Sequence, residues 1–336
     1  MRTQHSHPEG SVHVLWLDSK LLQDNFLGDP VRRRIDVYVP HGHNGADLPL
    51  LVDIVGFLSG GPVHSNWKNF GENLPERLDR LIGSGGMPPA VVALPDCFTR
   101  LGGNQYINSV VMGPWADIIR HEIVPFVEDR FACGGPGHRG IFGKSSGGYG
   151  AMVHALLYPD FWSAAACHSG DMGFELLFLG EFPKFLRALA KSGNDIEAWF
   201  RTFESREKHS GTDFEMLLML AMCASYDPDP SCFMGLRLPV DIHTCELIPE
   251  RWHNFLRWDP LVMAAENGQG LKKLKALFID CGHDDQYNLL YGARRMHRLL
   301  DAQQIPHQYE EFPDNHSSID YRMDKSLPIL ASALTG

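Results

Sequence analysis

Basic charge is scarce in this 336-residue chain: 30 Lys and Arg stand against 41 Asp and Glu, for a formal net charge of -11 at pH 7. Nucleic acid and anionic membrane surfaces both recruit proteins through a basic footprint, so neither is the expected partner. Long hydrophobic runs are missing as well. The longest, Met216 to Ala224, is far too short to span a bilayer, and the polar, His-rich stretch from Met1 to Gly10 lacks the apolar centre of a secretion signal. These absences point to a cytoplasmic protein. The seven cysteines (Cys97, Cys133, Cys167, Cys223, Cys232, Cys245, Cys281) are odd in number, scattered, and contain no C-x-x-C pair. That argues against zinc, redox and disulfide frameworks and leaves buried free thiols as the expectation. No internal repeat, low-complexity tract or long linker breaks the chain.

What is present is a sequence of apolar segments with helical patterns between most of them. Ser11 to Leu17 and Arg34 to Val39 alternate as half-buried outer strands do, whereas Leu48 to Val55 and Pro89 to Leu94 are nearly continuous apolar runs, the mark of strands covered on both faces. Further strands are expected over Arg139 to Phe142, Phe161 to Cys167, Leu274 to Cys281 and His307 to Phe312, and helices near Asn73 to Ile82, Trp115 to Phe131, Tyr149 to Leu157 and Gln286 to Asp301. About eight strands alternating with helices predict an α/β, doubly wound, mostly parallel sheet with helices on both faces. From about Gly173 to Pro260 the alternation stops. This segment is mainly helical in pattern and rich in aromatics and methionine, including Phe174, Phe178, Phe182, Trp199, Phe200, Met216, Met219 and Trp252. It reads as a cap inserted into the core, which divides the chain into residues 1–172, 173–260 and 261–336.

Chemistry centres on Gly143-Lys144-Ser145-Ser146-Gly147, a G-x-S-x-G pattern between a strand and a helix. In that context a serine is raised on a strained elbow at the end of a parallel strand, and the glycines allow the neighbouring backbones to approach it. Ser145 is the candidate nucleophile. A serine hydroxyl needs a base, and the base needs an orienting group, in the chain order serine, acid, histidine. Asp285, with Asp284 in reserve, follows the strand ending at Cys281; the same position also suits a helix N-cap. His316 follows the last strand and is the base candidate among 17 histidines; His307 begins that strand, and His154, His168 and His297 lie in helical or packed contexts. The amide of Ser146 and that of Phe57, with Leu58 in reserve, are the expected oxyanion donors, Phe57 lying in the glycine-rich loop after the third strand. That loop has no G-K-[ST], so a phosphate loop is not indicated. A metal site from His283, Asp284 and Asp285 lacks supporting ligands, and the set calls for neither metal nor cofactor.

These residues resemble the putative esterase family of α/β-hydrolases, which includes enterochelin esterases, feruloyl esterases, S-formylglutathione hydrolases and mycolyltransferases. Asp36-Val37-Tyr38-Val39-Pro40 is similar to the family's "VYLP" strand, and Pro95-Asp96 with Gly102 to Ser109 to its "PD...GGS.Y.NS" segment. Gly143 to Ala151 resembles "G.S.GGYGA", Asp280 to Asp285 "DCG..DE", and Glu310 to His316 the terminal "EF.G.H". The resemblance implies the α/β-hydrolase fold, favours Asp285 over Asp284 and supports Phe57. Leu58, Lys144 and Tyr149 become candidate substrate contacts. Lys144 stands where the family often has histidine, which suits either an anionic substrate or a salt-bridge role. The expectation is a serine hydrolase that cleaves small carboxylic esters through an acyl-enzyme, with an apolar or aromatic group under the cap. An acyltransferase using the same intermediate and a non-catalytic binding module are the alternatives, and the oligomeric state is open.

Overall fold

The computed structural model describes residues 6–335; the first five residues of the polar N-terminal stretch lie outside the described part. Eight strands form the main sheet: β1 (Ser11–Asp18), β2 (Arg32–Val39), β3 (Leu50–Ile54), β4 (Val91–Pro95), β5 (Arg139–Lys144), β6 (Ala164–His168), β7 (Ala276–Gly282) and β8 (Gln308–Phe312). Their spatial order is β1-β2-β4-β3-β5-β6-β7-β8. β2 runs antiparallel to both β1 and β4, and every other neighbouring pair is parallel. The apolar alternation of β1 and β2 thus belongs to the antiparallel edge, and the continuous apolar runs to the parallel centre, where helices cover both faces.

The elements follow the sequence pattern closely, with three local exceptions. α1 (Leu74–Gly83) begins at a capping box in which Asn73 and Glu76 satisfy each other's backbone amides. α2 (residues 115–131) contains a π-helical stretch at Ile118–Ile123, just before Pro125. Proline has no N–H and its ring displaces the carbonyl four residues back, a defect that hydrophobic periodicity does not register. α3 (Ser146–Leu157) follows β5 directly. β6 starts three residues later than its apolar run, because the amides of Phe161 and Trp162 turn back to the carbonyl of Tyr158. The helix expected from Gln286 starts only at Leu289, after a left-handed Asn288.

Odd and even strand residues go to different layers, as the two-residue repeat requires. Leu51, Val92, Phe142, Ala166 and Phe278 pack with α1 and with the C-terminal helix Met323–Thr335. Leu50, Val52, Ile141, Ala165 and Ile279 pack on the other face, with α2 and α3.

Between β6 and β7 the described elements are all helical: α4 (Phe174–Phe178), α5 (Phe182–Leu189), α6 (Ile196–Ser205), α7 (Gly211–Tyr226), α8 (Pro249–Leu256) and α9 (Pro260–Asn267), with short 3₁₀ turns between. Their aromatics bury one another. Phe174 lies 4.9 Å from Phe178 and 5.0 Å from Tyr226, ring centre to ring centre, and Tyr226 lies 5.4 Å from Phe255. Of the aromatics and methionines named above, Phe174, Phe178, Phe182, Trp199, Phe200, Met216 and Met219 are buried in the apolar core, and only Trp252 is partly exposed. Asp259 fastens the segment at both ends, accepting hydrogen bonds from the amides of Gly173, Phe174 and Leu261. All seven cysteines are free, five of them buried. No helix among the described residues is long and apolar enough to cross a membrane.

Candidate active site

Ser145 sits between β5 and α3 with φ 59° and ψ -126°, a conformation that side-chain-bearing residues seldom adopt. The neighbouring glycines explain how it is held. A Cβ on Gly143 or Gly147 would collide with the carbonyl oxygen of Ile54 at the end of β3, so only glycine lets the elbow lie this close to the adjacent strand. Backbone bonds fix the turn further, from the Ser145 amide to the His168 carbonyl at 2.9 Å and from the Tyr149 amide to the Ser145 carbonyl at 2.8 Å.

Two loops from distant parts of the chain close on this serine. His316 Nε2 lies 2.9 Å from Ser145 Oγ, and His316 Nδ1 lies 2.7 Å from Asp285 Oδ2. Asp285 is buried, and its other oxygen accepts the amide of Tyr287 at 3.0 Å. Asp284, the reserve, points to solvent and contributes its amide to the carbonyl of Asp314 at 3.0 Å. That bond, with His283 N to Phe312 O at 2.8 Å and His316 N to Gln286 Oε1 at 3.1 Å, joins the aspartate loop to the histidine loop. Gly282 permits the junction, since a Cβ there would strike the Asp314 carbonyl. The ring of Tyr287 meets that of His316 edge-on, 4.8 Å between centres.

A second Ser-His-Asp chain exists in the molecule. His168 Nδ1 lies 2.7 Å from Asp280 Oδ1 and its Nε2 2.8 Å from Ser326 Oγ, while Arg322 donates to the other Asp280 oxygen at 2.8 Å. Its three members are 1% exposed or less. No substrate reaches such a serine, so this set is a satisfied polar cluster under the sheet. Hydrogen bonding alone does not distinguish the two serines; the strained backbone and partial exposure of Ser145 do.

The glycine-rich loop after β3 brings Gly56 against the elbow, where a Cβ would come 3.4 Å from Ser145 Cβ and 3.9 Å from its Oγ. Phe57 follows, partly buried, and then Leu58, exposed and left-handed at φ 67°. The segment Gly102 to Ser109 braces this region, a role that spacing did not reveal. Gly103 packs on the backbone of Phe57, Tyr106 donates its hydroxyl proton to the Val55 carbonyl at 2.5 Å, and Gln105 Nε2 donates to Ser146 Oγ at 2.7 Å. Ser146 itself opens α3, so its amide has no carbonyl of that helix to bond.

Lys144 and Tyr149 flank the elbow in different ways. No carboxylate among the described residues comes within ion-pairing distance of Lys144, so the salt-bridge expectation is corrected. Burial lowers its pKa, which the more distant Asp320 and Asp285 partly oppose. Tyr149 is fully buried, and its hydroxyl donates to the carbonyl of Trp258 at 3.1 Å. It joins the elbow helix to the helical segment and does not face the opening. Asp171, absent from the sequence reading, lies against Ser146. Burial first, then the nearby charge of Asp285, pushes its carboxyl up to about 7. Its only signal in the sequence was an aspartate three residues past the end of β6.

The sequence profile of the family described as "Putative esterase" matches residues 31–324. No curated protein sequence matches the chain. Among solved structures it is similar to a ferulic acid esterase at TM-score 0.64 and 16% identity, covering 97% of this chain and 100% of that one. It is also similar to the fluorophosphonate-binding serine hydrolase F of Staphylococcus aureus (TM-score 0.59, 16% identity, covering 98% and 100%). An S-formylglutathione hydrolase from Agrobacterium tumefaciens is comparable (TM-score 0.59, 16% identity, covering 99% and 100%). At such identities the structures speak for the α/β-hydrolase fold alone. The profile, spanning most of the length, carries the family: the chain belongs to the Putative esterase family and is a carboxylic ester hydrolase.

Proposed function

We propose that the protein hydrolyses carboxylic esters through a covalent acyl-enzyme formed on Ser145. His316 takes the Ser145 proton as the hydroxyl attacks the ester carbonyl, then delivers it to the departing alcohol; in the second half it activates water in the same way. Asp285 holds the histidine tautomer that presents a lone pair to the serine and stabilises the imidazolium that forms. The amides of Ser146 and Phe57 receive the oxyanion, with the start of α3 adding its dipole. The observation that carries this reading is the hydrogen-bonded series Ser145, His316, Asp285 beginning at a left-handed, strained serine. Ser145→Ala should reduce p-nitrophenyl butyrate turnover by about 10⁴-fold or more and abolish labelling by a fluorophosphonate probe. Ser326→Ala, by contrast, should weaken folding while leaving turnover per folded molecule close to wild type. Retained turnover in the Ser145 variant removes the scheme.

Residues 173–260 act, in this proposal, as a cap whose role is to shape access. An apolar or aromatic acyl or alcohol group is met by Leu58, next to Phe57 in the loop after β3, and by Tyr287, whose ring meets that of His316; both are exposed. In a series of p-nitrophenyl esters, kcat/KM should rise from acetate to butyrate and to aromatic acyl groups. Faster cleavage of short hydrophilic esters contradicts this preference without touching the proposed chemistry.

A further inference from the structure

Far from Ser145, the C-terminal end of the helix Leu289–Ala302 (α10) packs on the start of β8, and there three potential metal donors converge. His297 and Asp301 are four residues apart on one helical face, and His307 immediately precedes the strand. His297 Nδ1 lies 2.8 Å from His307 Nε2. Asp301 brings one oxygen to 3.5 Å from His297 Nε2 and the other to 3.9 Å from His307 Nε2. One donor atom from each of the three lies within 4.8 Å of the other two.

The hydrogen-bond pattern leaves a lone pair of His307 available on the side facing His297. His307 Nδ1 lies 2.8 Å from the carbonyl of Ile305, an acceptor only, so this nitrogen carries the proton and Nε2 turns its lone pair toward His297. Two ring nitrogens this close need a proton or a cation between them. An imidazole whose second nitrogen is held by a backbone carbonyl is also the usual arrangement behind a metal-bound histidine. Both rings are already oriented: the His307 side chain is almost wholly buried, and Tyr309 stacks on His297 at 4.5 Å and 14°. Donors around a tetrahedral ion of the zinc class stand roughly 3.3 Å apart for bonds of about 2.0 Å. The separations of 2.8 and 3.9 Å about His307 Nε2 fall on either side of that value; His297 turns Nδ1 to His307 and Nε2 to Asp301, so it offers one of the two to the ion, and rotation of its ring would complete the site.

We propose that His297, Asp301 and His307 bind one divalent transition-metal ion of the zinc class, water filling the fourth position on the exposed side. Two imidazoles and one carboxylate suit Zn²⁺, Co²⁺ or Ni²⁺, whereas Mg²⁺ and Ca²⁺ prefer an all-oxygen shell. The ion would clamp α10 to β8. Those two elements lead away from the Asp285 loop and into the His316 loop, so the clamp is a structural device remote from ester chemistry.

The test uses the full chain without an affinity tag, stripped with chelator and titrated with Zn²⁺ by calorimetry and with Co²⁺ by visible absorption. One equivalent should bind, with cobalt bands of a low-coordinate nitrogen and oxygen site, and saturating Zn²⁺ should raise Tm by about 5 °C. His307→Ala should abolish both effects. Because that side chain is buried, Asp301→Asn, at an exposed position, and His297→Gln, at a half-exposed one, provide the decisive pair: each should weaken Zn²⁺ binding by more than about tenfold. Absence of stoichiometric binding, or equal binding by wild type and the Asp301 and His297 variants, overturns the proposal; the latter would place the ion on other histidines.

Discussion

At the scale of single residues, what separates Ser145 from Ser326 is accessibility and backbone conformation, since both serines face a histidine that faces an aspartate. Asp171 adds a titrating group beside the site. Its folded pKa of about 7 lies above the ordinary 3.8, so the folded protein keeps a proton that the unfolded chain gives up. The stability this contributes is fully present below about pH 4 and is lost as pH rises through about 7. Asp171→Asn cannot ionise. Relative to wild type the variant should therefore gain stability between pH 5 and pH 8, by on the order of 2 kcal/mol, read from urea midpoints at the two pH values. A difference that stays constant across the range would mean that Asp171 is ionised throughout.

At the scale of elements, much was legible because the forces are local. The period-two and continuous apolar runs located the strands, and the pattern of glycines around Ser145 located the elbow, whose requirement is steric contact with the next strand. Other features depended on partners far away in sequence. The π-helical stretch at Ile118–Ile123, the bracing of Phe57 and Ser146 by Gly102 to Ser109, and the fastening of both ends of the helical segment by Asp259 leave no periodic trace. Asp259→Ala would strand the amides of Gly173, Phe174 and Leu261. It should cost about 3 kcal/mol, measured by chemical denaturation, and should raise amide exchange first in α4 and α9. An unchanged midpoint would show that water replaces the carboxylate without loss.

At the scale of the molecule, the helical segment shares one continuous apolar cluster with the face of the sheet that carries α2 and α3. Tyr149 of the elbow helix, Phe174 of α4 and Tyr226 of α7 form its junction. A segment built this way is a fixed wall. Native-state hydrogen exchange should give α7 protection close to that of β5 and β6, with a single cooperative opening; markedly earlier exchange throughout α7 would instead describe a lid.

The amino-acid sequence by itself determined the alternation of strands and helices, the family, and the elbow serine, because each is written in residues close together along the chain. Chain order and strand ends also pointed to Asp285 and His316, but only the tertiary structure decided that they meet that serine, which aromatics of residues 173–260 are core, that Tyr149 is buried, and that His297, Asp301 and His307 share one corner. Most of those outcomes turn on contacts between segments tens to hundreds of residues apart, and on how burial redistributes charge among them, which no local pattern encodes.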